Sequence, residues 1–387
     1  MKILMISQDF YPLKGGIAIY LLQLYERYFS KEDFRAMIPK SISKRKRLND
    51  LSFKIKRLDF YPFITPSERK EKNKEFIDYL KKFKPDVVLF GYIRSHPEVI
   101  DKYKKINPNV KWGVILHAKE AFFDSAMTEK TNKSGSHKGY TSQEIKEYKK
   151  ILEFADFLVC VSNFTKKLIE KQGIRNDNVF VVHPLLNNLP KCSNSQKNEN
   201  FTLLSVGRLV KRKGHDLVLK SLKELRKSIP SIKYEIVGSG PEENKLKNFV
   251  EKYNLKNIVN FRGEIDRKEL NKVYLNCDIF VLPTKFIKPN DIEGFGIVFI
   301  EANSFSKPVI GGKNGGVVEA IEDGKSGFLI NTDSKKELID KVIFLYQNKR
   351  FLEKIGKYGR KRVKDKFHMK KNKEFVEFLE NIKNKIK

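Results

Sequence analysis

Hydrophobic and polar positions follow two alternating patterns along this chain of 387 residues. Short runs rich in β-branched residues are separated by longer charged segments, such as 17–29 and 68–83, with the apolar spacing of amphipathic helices. This alternation predicts a parallel sheet covered by helices. The predicted strands are 2–7, 86–92, 111–117, 156–162 and 178–183, followed by 201–207, 233–240, 257–263, 278–283 and 307–312.

The chain is too long for one compact core of ordinary size, so we expect two domains. The polar segment PKCSNSQKNEN, residues 190–200, separates the two series of strands. We therefore predict an N-terminal domain over 1–190, a linker over 191–200, a second domain over 201–365 and a final helical segment over 366–387. Both domains are expected to be Rossmann-like, doubly wound α/β units facing a central cleft. Residues 125–143 contain almost no apolar side chain and are expected to form a loop.

A formal net charge of +31 raises the question of a nucleic-acid partner. The excess is even, however, with +15 in residues 1–200 and +16 in residues 201–387. No zinc finger, heptad repeat or aromatic RNA-binding motif concentrates it, so we expect no nucleic-acid ligand. Segment 43–57 differs because apolar residues are interleaved with its cations, which favours an anionic membrane surface as partner. The apolar residues at this segment are Leu48, Leu51, Phe53, Ile55 and Leu58.

Cysteine usage and hydropathy bear on the compartment. Cys160, Cys192 and Cys277 are scattered and lack CxxC spacing, which favours a reducing environment without disulfides or a zinc site. The N-terminus lacks the architecture of a signal peptide, and no apolar run reaches the length of a bilayer span. We therefore expect a cytoplasmic protein, with segment 43–57 holding it peripherally on the inner face of the membrane.

Glycine-rich loops follow several predicted strands. Doubly wound sheets bind ligands at the carboxyl ends of their strands, where loops meet helix N-termini. Each such loop is a weak signal, since glycine is common in any tight turn, but four of them occupy corresponding positions. The loops are LKGG (13–16), GRLVKRKG (207–214), GSGP (238–241) and EGFG (293–296).

Two of these loops carry chemistry suited to a nucleotide-diphosphate-sugar. Arg208 and Lys213 supply a planar fork and a compact charge that together could neutralise a diphosphate. In EGFGIVFIEA (293–302), glycines precede a predicted helix, whose first N–H groups at 295–297 suit an anion. Glu293 and Glu301 bracket that helix start, about 12 Å apart at helical rise. The two carboxylates could accept hydroxyl hydrogen bonds from a sugar and a ribose, with the phosphates held between them.

These motifs together resemble the retaining glycosyltransferases of family 4, which have the GT-B fold. The resemblance rests on the E-x7-E pair Glu293 and Glu301, on GRLVKRKG, on the GxGP turn, on the N-terminal GG loop and on FRGEIDRKELNKVY (261–274). It covers nearly the whole chain and is strongest over 201–330. The chain departs from the family in HPLLNNLP (183–190), where an asparagine–glycine turn is usual.

The resemblance implies roles for particular residues. Catalytic roles fall to Arg208 and Lys213 on the diphosphate, Glu293 on the sugar hydroxyls, and His117, which would face the transferred sugar. Donor binding falls to glycines of the N-terminal loop, the loop around the base, and the start of the helix that carries the ribose-binding glutamate. These donor-binding residues are Gly15, Gly16, Gly238, Gly240, Glu264, Ile265, Gly294, Phe295, Gly296, Ile297 and Glu301. The last helix would cross back onto the N-terminal domain.

The implied reaction is transfer of a hexosyl group (EC 2.4) from a nucleotide-sugar to a hydroxyl with retention of configuration. The acceptor would be a saccharide or lipid-linked saccharide of cell-surface polysaccharide, lipopolysaccharide or glycolipid biosynthesis. No DxD occurs in the sequence, so neither a metal nor another cofactor is expected. The alternatives are a nucleotide-sugar epimerase of similar fold, which would need more acids and histidines, and a basic protein that binds RNA or anionic membrane.

Overall fold

The computed structural model describes residues 1–10, 15–40, 52–58, 66–91, 97–118, 121, 142–190, 199–288, 291–368 and 372–386. The chain divides into two compact units. The first comprises Met1–Pro184 with Lys371–Lys387, and the second comprises Leu185–Lys370. The expected loop at 125–143 lies almost entirely outside the described residues, as does most of the expected linker at 191–200.

The first unit contains a parallel sheet of seven strands in the order β3-β2-β1-β4-β5-β6-β7. Its apolar strands pair through the middle of the sheet, and helices cover both faces with buried aliphatic and aromatic side chains. The strands are β1 Lys2–Ile6, β2 Asp33–Ile38, β3 Lys54–Arg57, β4 Val87–Phe90, β5 Lys111–Leu116, β6 Phe157–Cys160 and β7 Val179–Val181. The helices before the second unit are α1 Gly16–Leu24, α2 Pro66–Phe83, α3 Pro97–Lys104, α4 Ser142–Phe154 and α5 Asn163–Lys171.

Strands β2 and β3 were not predicted from the sequence. Strand β3 reads KIKR and lies at the edge of the sheet. Charged residues on an edge strand disfavour pairing of its free backbone groups with another chain. The cations of β3 hide the alternation on which a strand prediction depends. Strand β2 reads DFRAMI, in which an arginine interrupts the apolar run. Helix α1 continues directly into a π-helical turn at Tyr25–Phe29, in agreement with the single predicted helix over 17–29.

The second unit contains a parallel sheet of six strands in the order β10-β9-β8-β11-β12-β13. The order of the strands across the sheet reverses between the neighbouring strands β8 and β11. The loops after these two strands therefore lie at a topological switch point, which is the usual ligand site of such sheets. The strands are β8 Phe201–Val206, β9 Ile232–Val237, β10 Val259–Gly263, β11 Ile279–Leu282, β12 Val309–Gly312 and β13 Gly327–Ile330, of which β13 was missed.

The helices of the second unit pack on both faces of this sheet. Helix α8 begins after Asp266, whose carboxylate accepts the Glu269 N–H at 2.8 Å and so caps the helix. The helices are α6 His215–Ser228, α7 Glu243–Lys252, α8 Arg267–Asn276, α9 Ile297–Ser304, α10 Val317–Ala320, α11 Lys335–Gln347 and α12 Lys349–Arg362. A π-helical turn at Val363–Phe367 follows α12 directly.

The last helix, α13 Lys373–Ile386, belongs to the first unit. Its Phe375 and Phe378 pack on Phe157 at the sheet, with ring centroids 6.1 and 5.1 Å away. Asn372 precedes the helix and donates from its side chain to the Val181 carbonyl at 2.9 Å. Within the described part of the chain, no helix combines the length and apolarity needed to cross a bilayer.

Candidate functional site

The loop after β8 folds into a compact turn against the end of β11. Lys211–Lys213 form one turn of 3-10 helix, and Gly214 follows in the left-handed region with φ of 72°. A Cβ at Gly214 would lie 2.1 Å from the Pro283 carbonyl oxygen, so only glycine fits there. This close approach holds the basic turn at the carboxyl edge of the sheet.

Four charged side chains meet at this turn. Glu293 Oε2 accepts hydrogen bonds from Lys213 Nζ at 2.6 Å and from Arg212 Nη1, while Arg212 Nε lies 3.0 Å from Asp291 Oδ1. Burial raises the pKa of Glu293, but the charges and hydrogen bonds of Arg212 and Lys213 outweigh it and hold that pKa at about 2. Glu293 is therefore a carboxylate at neutral pH, joined to the predicted diphosphate-binding Lys213.

Arg212 is the site residue that the sequence-based reasoning missed. It connects the basic turn to the loop before α9 through both Asp291 and Glu293. In the sequence it is one cation of the run KRK, and nothing there separates it from an exposed neighbour. Arg208, in contrast, is exposed. The structure thus brings Lys213 to Glu293 and leaves Arg208 open to solvent.

Helix α9 begins at Ile297, two residues after the predicted start at Phe295. Gly296 precedes it with φ of 88°, and a Cβ there would lie 2.6 Å from the Phe299 ring. The first N–H groups of an α-helix have no acceptor within the helix, which suits them to an anion. Gly294 and Gly296 lie beside the helix start, and the anion site at 295–297 stays a prediction.

A second glycine pair, Gly315 and Gly316, supports the loop that carries Glu293. The Gly316 N–H donates to the Glu293 carbonyl at 2.9 Å. A Cβ at Gly316 would lie 1.8 Å from the Gly294 carbonyl oxygen, and one at Gly315 would lie 2.3 Å from that of Glu293. The sequence signal for this contact was the dipeptide in KNGG (313–316), which follows a predicted strand and was overlooked.

Glu301 lies within α9, as predicted, and its side chain is only 5% exposed. Its Oε1 accepts from Arg267 Nη1 at 2.7 Å, and its Oε2 accepts from the Tyr274 hydroxyl at 3.1 Å. The guanidinium of Arg267 belongs to a half-exposed side chain, so it is the accessible polar group here. The predicted contact between Glu301 and a ribose stays a prediction.

The predicted base-binding loops lie together at the ends of β8, β9 and β10. Gly238 has φ of 127°, and a Cβ there would lie 2.1 Å from the Gly207 carbonyl oxygen. Gly240 packs equally closely on the Leu209 backbone. On the other side, Ser239 Oγ donates to Glu264 Oε1 at 2.8 Å, and Ile265 follows in the chain, half-buried. The loops are adjacent, and their contact with a base stays a prediction.

The remaining predicted residues belong to the first unit. Gly15 is the N-cap of α1 in extended conformation, with φ of −171°, and a Cβ there would meet nothing within 4 Å. Gly16 is the first residue of that helix. His117 follows β5, with Nε2 3.0 Å from the Gly91 carbonyl oxygen and its ring edge-on to Tyr20. The predicted roles of Gly15, Gly16 and His117 toward a donor are not tested by these contacts.

No metal centre is evident in the part of the chain that the structure describes. There, His, Cys, Asp and Glu side chains form no group of three or more that could hold a metal ion. Metal independence remains a prediction from the sequence.

His215, the first residue of α6, is 2% exposed beneath the basic turn. Burial, and to a smaller extent the charge of Lys213, lower the pKa of His215 from its ordinary 6.5 to about 4. Between pH 6.5 and 4 the imidazole of His215 is protonated in the unfolded chain and neutral in the folded chain. The contribution of neutral His215 to the free energy of unfolding is therefore complete above pH 6.5 and is lost as the pH falls toward 4. We expect the free energy of unfolding to fall by about 3 kcal/mol across that window.

Denaturant titration of the parent and of His215→Gln between pH 7.5 and 4 checks this expectation. Between pH 6.5 and 4.5 the free energy of unfolding should depend much less on pH in the variant than in the parent. Below pH 4.5 the free energy of unfolding should fall in both proteins. Glu293 has a lower pKa in the folded chain than in the unfolded chain, so its stabilising contribution is lost in that range. Equal slopes in the two proteins above pH 4.5 would contradict the assignment.

Comparison with known proteins finds a family match within the second unit. Residues 190–362 match the family described as glycosyl transferases group 1. Over 159 residues the chain is 31% identical to a GDP-mannose-dependent alpha-(1-6)-phosphatidylinositol monomannoside mannosyltransferase of Mycolicibacterium smegmatis, an alignment covering 41% of this chain and 42% of the relative. It is 25% identical to an uncharacterized glycosyltransferase of Methanocaldococcus jannaschii over 93% of this chain and 92% of the relative.

A solved structure extends the likeness in fold to the entire chain. The HepE protein of Anabaena, in complex with UDP and glucose, superimposes with a TM-score of 0.73 at 18% identity, covering 100% of this chain and 99% of that one. Together with the two parallel sheets of seven and six strands, this match confirms the predicted α/β, GT-B fold class with two Rossmann-like domains.

Proposed function

Because residues 190–362 match the glycosyl transferases group 1 family, we propose that the protein moves a hexosyl group from a nucleotide-diphosphate-sugar to a hydroxyl acceptor with retention of configuration. The observation that carries this proposal is the buried contact between Lys213 and the Glu293 carboxylate beside the start of α9. A cation, a carboxylate and the N-terminus of a helix are the chemistry that a diphosphate joined to a sugar requires.

Lys213, Arg208 and the N-terminus of α9 stabilise the departing nucleoside diphosphate as its charge develops. Groups oriented in advance toward developing charge are worth several kcal/mol in a transition state. Glu293 accepts hydrogen bonds from the hydroxyl groups of the transferred sugar. On this proposal the protein's own cations supply the charge compensation, so transfer continues at an undiminished rate after exhaustive dialysis against EDTA.

The acceptor is a saccharide or lipid-linked saccharide of cell-surface polysaccharide or glycolipid biosynthesis. Support comes from the M. smegmatis relative, which is named as a phosphatidylinositol monomannoside mannosyltransferase. The exposed cations Lys54 and Arg57 of the edge strand β3 also favour an anionic surface. The apolar residues there do not, because Phe53 and Ile55 pack against the core of the first unit and Leu58 is buried. Residues 43–51 of the predicted membrane-binding segment lie outside the described residues. We place the protein in the cytoplasm, peripherally on the inner face of the membrane.

Replacing the Lys and Arg residues of 43–57 by Ser is expected to weaken binding to vesicles of phosphatidylglycerol and phosphatidylcholine at least tenfold. Each cation near an anionic surface contributes about 1 kcal/mol, so removing several exceeds this threshold. Sedimentation of vesicles measures the change, and vesicles of phosphatidylcholine alone serve as control. Unchanged binding and unchanged transfer to a lipid-linked acceptor would remove the membrane from the proposal.

The proposal is tested by melting-temperature shifts with UDP-, GDP-, ADP- and dTDP-sugars, with free sugars and a short RNA as controls. A ligand at 100 times its Kd stabilises the fold by about 2.7 kcal/mol, enough for a clear shift. We expect one nucleotide-sugar to act, and the shift to disappear in folded Lys213→Ala and Glu301→Ala variants. A shift from RNA alone, independent of both residues, would favour the basic binding protein. Epimerised donor without transfer would favour the epimerase.

Gly15→Ala tests the predicted donor contact of the first unit. Space is open around a Cβ at this position and its φ is extended, so the fold tolerates alanine with a loss of about 1 kcal/mol or less. A glycine that contacts the donor is needed for close approach, so we expect KM for the nucleotide-sugar to rise at least tenfold. Steady-state kinetics and thermal unfolding separate the two effects. An unchanged KM would remove Gly15 from the donor site.

A further inference from the structure

Arg362, the last residue of α12, is buried among backbone carbonyl groups. Its Nη1 donates a hydrogen bond to the Ala320 carbonyl oxygen, and its Nη2 donates one to the Glu319 carbonyl oxygen, each at a distance of 2.7 Å. These residues end the short helix α10, so the guanidinium caps that helix at its C-terminus. Arg362 Nε also lies 3.2 Å from Glu322 Oε2, just beyond the same helix. One fork-shaped side chain thus holds one end of α10.

The other end of α10 supports the loop that carries Glu293. Gly316 immediately precedes the helix, donates its N–H to the Glu293 carbonyl at 2.9 Å and packs directly on Gly294. The helix has four residues and is only about 6 Å long. Since so short a helix moves as one piece, a shift at its capped C-terminus displaces the backbone of Glu293.

Arg362 reaches the same loop by a second route. Its guanidinium carbon lies 4.9 Å from the centroid of the Phe367 ring, over its face. The Phe367 ring in turn packs edge to face on Phe295, with centroids 5.5 Å apart and planes at 70°. Phe295 is buried two residues after Glu293 and just before α9. Arg362 therefore supports the loop from both sides, through α10 and through two aromatic rings.

We propose that Arg362 is a positioning residue for the transfer reaction: it fixes the 293–295 loop so that the Glu293 carboxylate stays at Lys213. This inference rests on the function proposed above for Glu293. Arginine suits the role because its rigid fork satisfies two carbonyl groups at once while its plane stacks on a ring. Lysine offers neither the fork nor the plane, and methionine keeps only the apolar volume.

Arg362→Met and Arg362→Lys test the proposal, with Lys361→Met, the exposed neighbour on α12, as the matched control. Leu345→Ala, a buried change in α11, controls for lost stability. All are assayed well below their melting temperatures. We expect kcat to fall about 100-fold in Arg362→Met, since an error of about 1 Å in position has that cost, and less in Arg362→Lys. Affinity for the free nucleoside diphosphate should fall much less than kcat, because Lys213 and Arg208 follow β8 and do not belong to the displaced loop.

Hydrogen exchange supplies a readout that does not depend on activity. The Gly316 amide, which donates to Glu293, should exchange at least tenfold faster in Arg362→Met and at the parental rate in Leu345→Ala. A variant that loses stability but keeps both kcat and the protection of Gly316 would reduce Arg362 to a helix cap and overturn the inference. If the parent binds no nucleotide-sugar, the proposed function fails, while Gly316 exchange still decides whether Arg362 holds the loop.

Discussion

Lys213→Ala is expected to lower kcat about 100- to 1,000-fold, the cost of removing one group that stabilises developing charge. The lysine is 12% exposed and lies 2.6 Å from Glu293, with its aliphatic stem beside Gly207 at the end of β8. It is the less exposed cation of the predicted diphosphate-binding pair. Arg212 remains on Glu293 in the variant, so the carboxylate keeps a partner and the fold should survive.

Lys211→Ala is the matched control, because Lys211 occupies the same 3-10 turn and is exposed. Both variants are assayed with the nucleotide-sugar that shifts the parent's melting temperature, and thermal unfolding checks that both are folded. Lys211→Ala should keep kcat within twofold of the parent. A Lys213→Ala enzyme that also stays within threefold would remove Lys213 from the catalytic machinery and leave the diphosphate to other groups.

Gly316→Ala is expected to lower kcat at least 100-fold and the free energy of unfolding by roughly 1–3 kcal/mol, as overpacked sites do. The added methyl group would lie 1.8 Å from the Gly294 carbonyl oxygen, a distance that no carbon and oxygen tolerate. Because φ at Gly316 is −78°, alanine meets no backbone strain there, and the collision itself must move the Glu293 loop. A displacement of about 1 Å is enough for a 100-fold loss of rate.

Gly324→Ala separates this displacement from strain. Gly324 has φ of 73° and open space around its Cβ position, so alanine there costs stability without pushing on a neighbour. We expect this control to lose about 1–2 kcal/mol of stability and to retain full kcat. Equal rate losses in the two variants, or a fully active Gly316→Ala enzyme, would show that the contact with Gly294 does not hold the site.

The hydrophobic pattern predicted ten of the thirteen described strands, because buried parallel strands are apolar along their whole length and helices repeat every 3.6 residues. Strands β2, β3 and β13 were missed. Of these, β3 is a charged edge strand and β13 is a run of four residues, GFLI. A strand that packs on one side or spans few residues leaves a short pattern, which is indistinguishable from a loop until its neighbour in the sheet is known.

Local sequence was sufficient to locate the loops of the predicted site. Turns that demand glycine, a carboxylate before a helix and a strand that ends in cations are all features of a few consecutive residues. Hence the start of α9 was predicted to within two positions, while the roles of Lys213, Glu293 and Gly296 stay predictions. These features depend on backbone sterics and helix geometry, which act over short distances along the chain.

Contacts between side chains far apart in sequence could not be predicted from local sequence. Arg212 and Glu293 are 81 positions apart, and the cation looks like any other of the 78 Lys and Arg residues until the fold joins them. The partners of two other arginines were equally hidden in the sequence. Arg267 donates to the carboxylate of Glu301, and Arg362 caps a helix 42 positions away. The sequence predicted which loops follow the strands and where helices begin, since periodicity and turn sterics are local. The folded chain established which charges meet, since that depends on how strands far apart in sequence pair within one sheet.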